Sequence, residues 1–200
     1  MQKSRMFSVL VAAAGAFVFF VNGYAFSGEQ SVVVPVEIEN AVVQAILEGC
    51  VPNVLGDLPV TAENASQMAS VGLTPVDEEE GFSSLPVVPF EDLHKRGVLI
   101  TSFAIRPSTT GRVIMGATPR TSYCGIVVFD ASAVQAREKL LNAIVEKGWK
   151  RKRGGSIGDI DTYSAVINRK DIFIAVTGLD RAAANDSSYR LFASVAQVKD

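Results

Sequence analysis

The amino-acid sequence predicts an α+β fold: a single domain in which a largely antiparallel sheet of about six strands packs with two main helices. Helical spacing of apolar residues occurs twice, near 38–49 and 130–148, and short apolar runs bounded by Gly, Pro, Ser and Thr fill most of 97–200. The predicted order is helix, three strands, helix, and three or four strands. Residues 26–96 are expected to form an acidic N-terminal part and 97–200 a β-rich part of one globular domain, 26–200.

The first residues have the pattern of a secretory signal peptide, predicted over residues 1–25. A lysine and an arginine precede an uncharged apolar run over 6–21, and small residues follow, with Ala25 before the expected cleavage point. Cleavage after Ser27 is the second option. An uncleaved anchor is disfavoured because the run is shorter than the ~20 residues that a spanning helix needs. We therefore expect an exported bacterial protein, periplasmic or extracellular, with no stable membrane insertion after cleavage.

The acidic part begins with one predicted helix, over residues 38–49. Helical spacing in IENAVVQAILEGC puts Cys50 on its apolar side, and Val51 with Pro52 is expected to end it. Five of the eight prolines fall within 51–96, so the rest of this part is predicted to be largely irregular and extended across the surface.

The β-rich part opens with three strand-like runs, GVLITSFAI, GRVIMGATP and SYCGIVVFD, which predict a meander. The third run is apolar on both faces and is expected to be a central, covered strand. A helix follows, with Asp130 or Ser132 at its start and Gly148 at its end. Its predicted buried stripe comprises Val134, Leu140, Leu141, Ile144 and Val145. Further strand-like runs follow this helix, with NRKD as a tight connection between two of them.

The chain contains two cysteines, Cys50 and Cys124, and export would place both in an oxidising compartment. Each lies on an apolar face, one of the first helix and one of the third strand. We predict a structural disulfide that joins the acidic part to the β-rich part. Closing this loop should stabilise the fold by roughly 4 kcal/mol in the chain-entropy model. A reactive thiol is the alternative, and burial in an apolar strand disfavours it by disfavouring the thiolate.

Charge is divided sharply along the chain. Residues 26–94 contain twelve Asp or Glu and no Lys or Arg, whereas 95–200 contain seventeen Lys or Arg and nine Asp or Glu. This asymmetry predicts either complementary packing of the two parts or a face that binds a partner. The predicted disulfide favours complementary packing. A further hypothesis is that the acidic segment 51–94 masks a basic surface.

The densest basic run is Lys150, Arg151, Lys152 and Arg153, directly after a tryptophan. Such a run can form a surface that binds an anion. In a strand, however, these side chains alternate between two faces, which is typical of an exposed edge strand protected against unwanted pairing, and we favour that interpretation. Nucleic acid is not expected as a partner, because the mature chain is exported and negatively charged overall.

Catalytic patterns are weak. GGSIG matches G-x-S-x-G around Ser156, but a strand-like run follows it where a nucleophile elbow requires a helix, and the only histidine, His94, lies upstream. One histidine and no Cys-x-x-Cys spacing predict no metal site, and no cofactor is expected. The sequence therefore predicts a non-enzymatic binding or interaction domain for a protein or another ligand. The alternative is a thiol- or serine-dependent hydrolase that uses Cys124 or Ser156 with His94.

Overall fold

A computed structural model describes residues 33–76, 100–118, 122–128, 133–152, 160–177 and 191–198. The predicted signal peptide, residues 1–25, lies outside them. The strands within the described residues are β1 (Thr74–Val76), β2 (Ser102–Pro107), β3 (Arg112–Ala117), β4 (Tyr123–Val128), β5 (Lys150–Arg151), β6 (Ile160–Ile167), β7 (Lys170–Thr177) and β8 (Leu191–Gln197). The helices there are α1 (38–55), α2 (Ala65–Ser70) and α3 (Ala133–Glu146), and a 3-10 turn, Ala62–Asn64, precedes α2.

All eight strands form one sheet, in the order β1-β2-β3-β4-β8-β7-β6-β5, and every neighbouring pair is antiparallel. The predicted meander β2-β3-β4 is present, and β5 to β8 form a second meander that returns to β4. Because four antiparallel steps separate β4 from β5, these two strands run in the same direction, and α3 connects them as a crossover.

The mixture of helices with one antiparallel sheet confirms the predicted α+β class, but the sheet has eight strands rather than about six. One strand missing from the prediction is β1, which lies in the proline-rich segment expected to be irregular. Its central residue, Pro75, pairs with Ala104 of β2 at the outer edge of the sheet. A residue without an N–H group is tolerated there, because an edge strand leaves one row of backbone groups outside the ladder.

Helix α1 is longer than predicted. It has an α-helical start at Ile38–Val43, a π-helical middle at Gln44–Cys50 and an α-helical end at Val51–Leu55. The prediction that Val51 and Pro52 end the helix is therefore wrong. Proline cannot donate a backbone hydrogen bond and clashes with the carbonyl four residues earlier. The π-helical turns before it, in which the Val51 N–H bonds to the Ile46 carbonyl, shift the hydrogen-bond register by one residue and accommodate the proline.

Helix α3 packs on the sheet through Ala136, Leu140 and Ile144, which are fully buried. Val134 and Val145, which were predicted to belong to this stripe, are instead 46% and 57% exposed. At 3.6 residues per turn these two valines lie about 120–140° around the helix axis from Leu140, which is too far to reach the sheet. The predicted stripe was therefore too wide.

Helices α1 and α3 contribute to the main hydrophobic core on one face of the sheet. On β3, Val113, Met115 and Ala117 belong to this core, whereas Ile114 belongs to a smaller cluster on the opposite face. Strand β4 is buried from residue 124 to 128 on both faces, which confirms the predicted central strand. The sheet is thus covered on both sides at its centre.

Candidate functional site

The two cysteines form the disulfide that the sequence predicts, with their Cα atoms 5.2 Å apart. Cys50 is the last residue of the π-helical part of α1, and Cys124 lies in β4. Both residues are fully buried in the main core. The bond therefore fixes the middle of α1 on the central strands of the sheet.

Helix α1 approaches the sheet closely beside this bond because Gly49 has no side chain. A Cβ atom on Gly49 would lie 2.7 Å from Leu73 Cδ1 and 3.2 Å from Met115 Sδ, which is closer than packed side-chain atoms come. Leu73 and Met115 are themselves fully buried. A residue larger than glycine at position 49 would therefore require these buried side chains to shift.

A groove of about 660 Å³ opens between α1 and α3. Its apolar lining comes from both helices, from the residue before β5 and from the end of β6: Val43, Leu47, Val51, Ala143, Trp149 and Ile167. The three residues of α1 are spaced four apart and therefore lie along one side of that helix. The volume is within the ~300–1,000 Å³ range of small-molecule sites in proteins.

The charged residues of the groove are exposed and stand at its rim. Glu48 lies on α1, Glu146 is the last residue of α3, and Lys147 follows it. Leu47 and Glu48 belong to the π-helical part of α1, and π-helical turns are frequent at functional sites. Among the described residues that line the groove there is no serine, threonine, cysteine, histidine or tyrosine. The arrangement suits binding of an apolar molecule.

Arg106 of β2 is a buried cation that no sequence motif singled out. It is 3% exposed, and its Nε and Nη2 donate to Oε1 of Gln44 at 2.9 and 2.8 Å. Its Nη1 donates to the carbonyl of Val34 at 2.9 Å. Burial lowers the pKa of Arg106, and the carboxylate of Glu48 opposes this effect. These hydrogen bonds connect strand β2 to two other parts of the chain: the segment before α1, at Val34, and the first residue of the π-helical part, Gln44. Their role is therefore structural.

Gly72 provides the space for this guanidinium. A Cβ atom there would lie 2.4 Å from Arg106 Cζ, and the backbone φ of 75° is one that glycine adopts readily. A signal for Arg106 was present in the sequence. In SFAIRP, Arg106 lies two residues after Ala104 and therefore on the same face of the strand, so strand alternation places one cation among the core-facing positions.

The predicted anion-binding run lies at the edge of the sheet. Lys150 and Arg151 form β5, the outermost strand in the described part of the chain, and both are exposed. Arg151 forms an ion pair with Asp161 of β6. Lys152 Nζ lies 5.4 Å from the centre of the Phe173 ring. These intramolecular contacts and the edge position agree with the edge-strand interpretation. Arg153 lies outside the described residues, and anion binding by the run stays a prediction.

Asp161 has a second partner, Arg137 of α3. Arg137 also donates from Nε to the carbonyl of Thr177, at 3.2 Å. The carboxylate thus connects the edge strand β5 to α3. Because its side chain is only 13% exposed, water competes for it less than for a surface carboxylate.

The alternative hydrolase stays a prediction, because most of its residues lie outside the part of the chain that the structure describes. The sulfur of Cys124 is held in the disulfide, and His94 and Ser156 lie outside the described residues. In the described ranges no group of three or more His, Cys, Asp or Glu residues is placed to hold a metal ion. Nor does any helix of those ranges have the length and apolar character needed to cross a membrane.

The chain matches no protein-family model, no curated protein and no solved structure.

Proposed function

We propose that this chain is an exported, disulfide-stabilised domain that is not an enzyme and that binds an apolar ligand in the groove between α1 and α3. The observation that carries the proposal is the groove itself, with a volume of about 660 Å³, apolar walls and charges only at its rim. This combination is typical of small-molecule binding sites, in which apolar contacts supply affinity and a few polar groups fix orientation.

The packing around the groove supports a preformed site. Val51 and Trp149 are only 8% and 7% exposed, so their positions are already held by the core. The disulfide at Cys50 and the close approach at Gly49 hold the α1 wall against the sheet. A site whose walls are fixed before binding loses less conformational entropy when the ligand enters.

Export is supported by the N-terminal sequence pattern and by a disulfide of the kind that persists in oxidising compartments. The intact mass of the protein recovered from its host tests it. We expect a chain that begins after residue 25 or 27 and thiols that react only after reduction. A chain that retains residues 1–25, or thiols that react without reduction, would contradict export.

Ligand binding can be measured through Trp149, which lines the groove and is the only tryptophan of the chain. The probe is N-phenyl-1-naphthylamine, a neutral apolar fluorophore that accepts energy from tryptophan. We expect saturable probe fluorescence with matching loss of Trp149 emission. A linear, non-saturating response would refute the proposed site.

A matched pair of variants places the binding event. Ala143→Phe adds a ring to a residue that lines the groove and should abolish saturable binding. Asn142→Phe adds the same ring at the adjacent exposed position of α3 and should bind the probe as the unaltered chain does. Circular dichroism and urea unfolding of both variants establish that they fold. Equal binding by two folded variants would show that the probe binds elsewhere.

A further inference from the structure

We infer that the ligand of the groove is a cationic amphiphile: a small molecule with an apolar tail and a positively charged head group. This inference rests on the proposed function, because it concerns the same groove, and it adds the chemistry of the ligand. It follows from how the apolar walls and the rim charges are arranged.

The walls select an apolar tail. Val43, Leu47 and Val51 form one side over two turns of α1, and Ala143 faces the groove from α3. Ala143 has the smallest side chain of the lining, so the space beside it is open where a larger residue would fill it. An alkyl chain that enters this space removes its own surface and that of both walls from water, which is the main source of affinity for such a ligand.

The rim selects a positive head group. The two helices each supply one carboxylate, Glu48 from α1 and Glu146 from α3, against the single ammonium of Lys147. Helix α3 also ends at this rim, and the C-terminal end of a helix carries a partial negative charge. Trp149 adds an aromatic ring to the lining, and aromatic faces attract cations. An anionic head group would meet repulsion from most of these groups.

Two other cations bear on this balance. Lys170, the cross-strand partner of the lining residue Ile167, donates from Nζ to the carbonyl of Leu55 at the end of α1, at 2.8 Å. Arg106 lies close enough to Glu48 for the carboxylate to act on its pKa. Its guanidinium is nevertheless buried and donates to Gln44 and Val34. It is therefore not available to pair with Glu48 at the exposed rim, although it weakens the field of that carboxylate.

The test compares three ligands that share an eight-carbon tail: octyltrimethylammonium, octyl glucoside and octyl sulfate, each below its micelle concentration. Affinities come from displacement of N-phenyl-1-naphthylamine, with Trp149 emission as a second readout. We expect octyltrimethylammonium to bind about two- to fivefold more tightly than octyl glucoside, a ratio typical of exposed ion pairs, and octyl sulfate to bind most weakly. The preference should shrink as salt is raised.

Charge variants with opposite expected signs give the decisive result. Glu48→Gln and Glu146→Gln should each reduce the preference for octyltrimethylammonium, whereas Lys147→Gln should increase it. Glu138→Gln, an exposed carboxylate of α3 that does not line the groove, is the matched control and should change nothing.

The outcomes separate this inference from the proposed function. Equal binding of the three octyl ligands, unchanged by the variants, would overturn the cationic head group and leave an apolar binding groove. Absence of saturable binding for all three, and for the neutral probe, would overturn both.

Discussion

Removal of the disulfide should produce the largest loss of stability of any change discussed here. The bond closes a loop with a sequence separation of 74 residues between Cys50 and Cys124. In the chain-entropy model, replacing both cysteines by alanine frees the unfolded chain and costs about 4 kcal/mol. Both residues are also fully buried, so the lost sulfur atoms leave space in the core and cost about 1 kcal/mol more. The total is a large part of the ~5–15 kcal/mol that stabilises a typical domain.

Urea unfolding followed by Trp149 fluorescence measures this loss in the double variant. The slope of free energy against urea should also increase, because an unfolded chain without the cross-link exposes more surface. The unaltered protein unfolded under reducing conditions is the control, since it lacks the cross-link but keeps both sulfur atoms. A stability loss below about 1 kcal/mol, with an unchanged slope, would refute the reasoning, because it would mean that the bond constrains neither state appreciably.

Three further changes test the packing around the site by urea unfolding. Gly49→Ala forces a Cβ atom against buried side chains and should destabilise the fold by about 1 kcal/mol, because overpacking outweighs the better helix propensity of alanine. An increase in stability would contradict the close approach of α1 to the side chains of Leu73 and Met115. Arg106→Met leaves the Gln44 and Val34 oxygens without their donor and should destabilise the fold by about 2–4 kcal/mol. Arg106→Lys should lose less stability than Arg106→Met. A neutral effect of Arg106→Met would contradict a stabilising role of these hydrogen bonds. Burial raises the pKa of Tyr123 above its unfolded value of 10.0, and the hydroxyl of Ser194 only partly opposes this. As pH rises, the unfolded state therefore releases the Tyr123 proton before the folded state does, so the free energy of unfolding is unaffected at lower pH and falls as pH rises above 10.0. Tyr123→Phe should make that alkaline decline shallower. An identical decline in the variant would exclude this tyrosine as a cause.

Features governed by neighbouring residues were predictable from the sequence. Asn168 and Arg169 form the tight connection in NRKD, with φ angles of 53° and 63° that suit a two-residue hairpin. The export pattern and the count of two cysteines predicted the bond between Cys50 and Cys124, and the apolar periodicities of α1 and β4 placed both on faces that pack together. In these places the preference of the local sequence agrees with the tertiary structure, so the local sequence pattern was sufficient to predict the structure.

Features that depend on the relative position of distant elements were not predictable. The groove exists because α1 and α3 lie side by side, and no spacing within either helix reveals the space between them. Pro75 argued against β1 because proline is excluded from central strands, and only its place at the sheet edge makes it acceptable. The continuation of α1 through Pro52 likewise depends on π-helical turns that no propensity predicts.

The position of β8 determines when this sheet can form during synthesis. Strand β8, Leu191–Gln197, lies between β4 and β7 and is therefore the strand that joins the two meanders across the sheet. It is also the last of the eight strands to be translated. A nascent chain that lacks it has two unpaired edges at what will become the centre of the core, and pairing across such long sequence separations is slow. Completion of the sheet therefore waits until Leu191–Gln197 has been synthesised. A polypeptide that stays unfolded until then remains in the state that a secretion channel can thread, which suits the export that we propose.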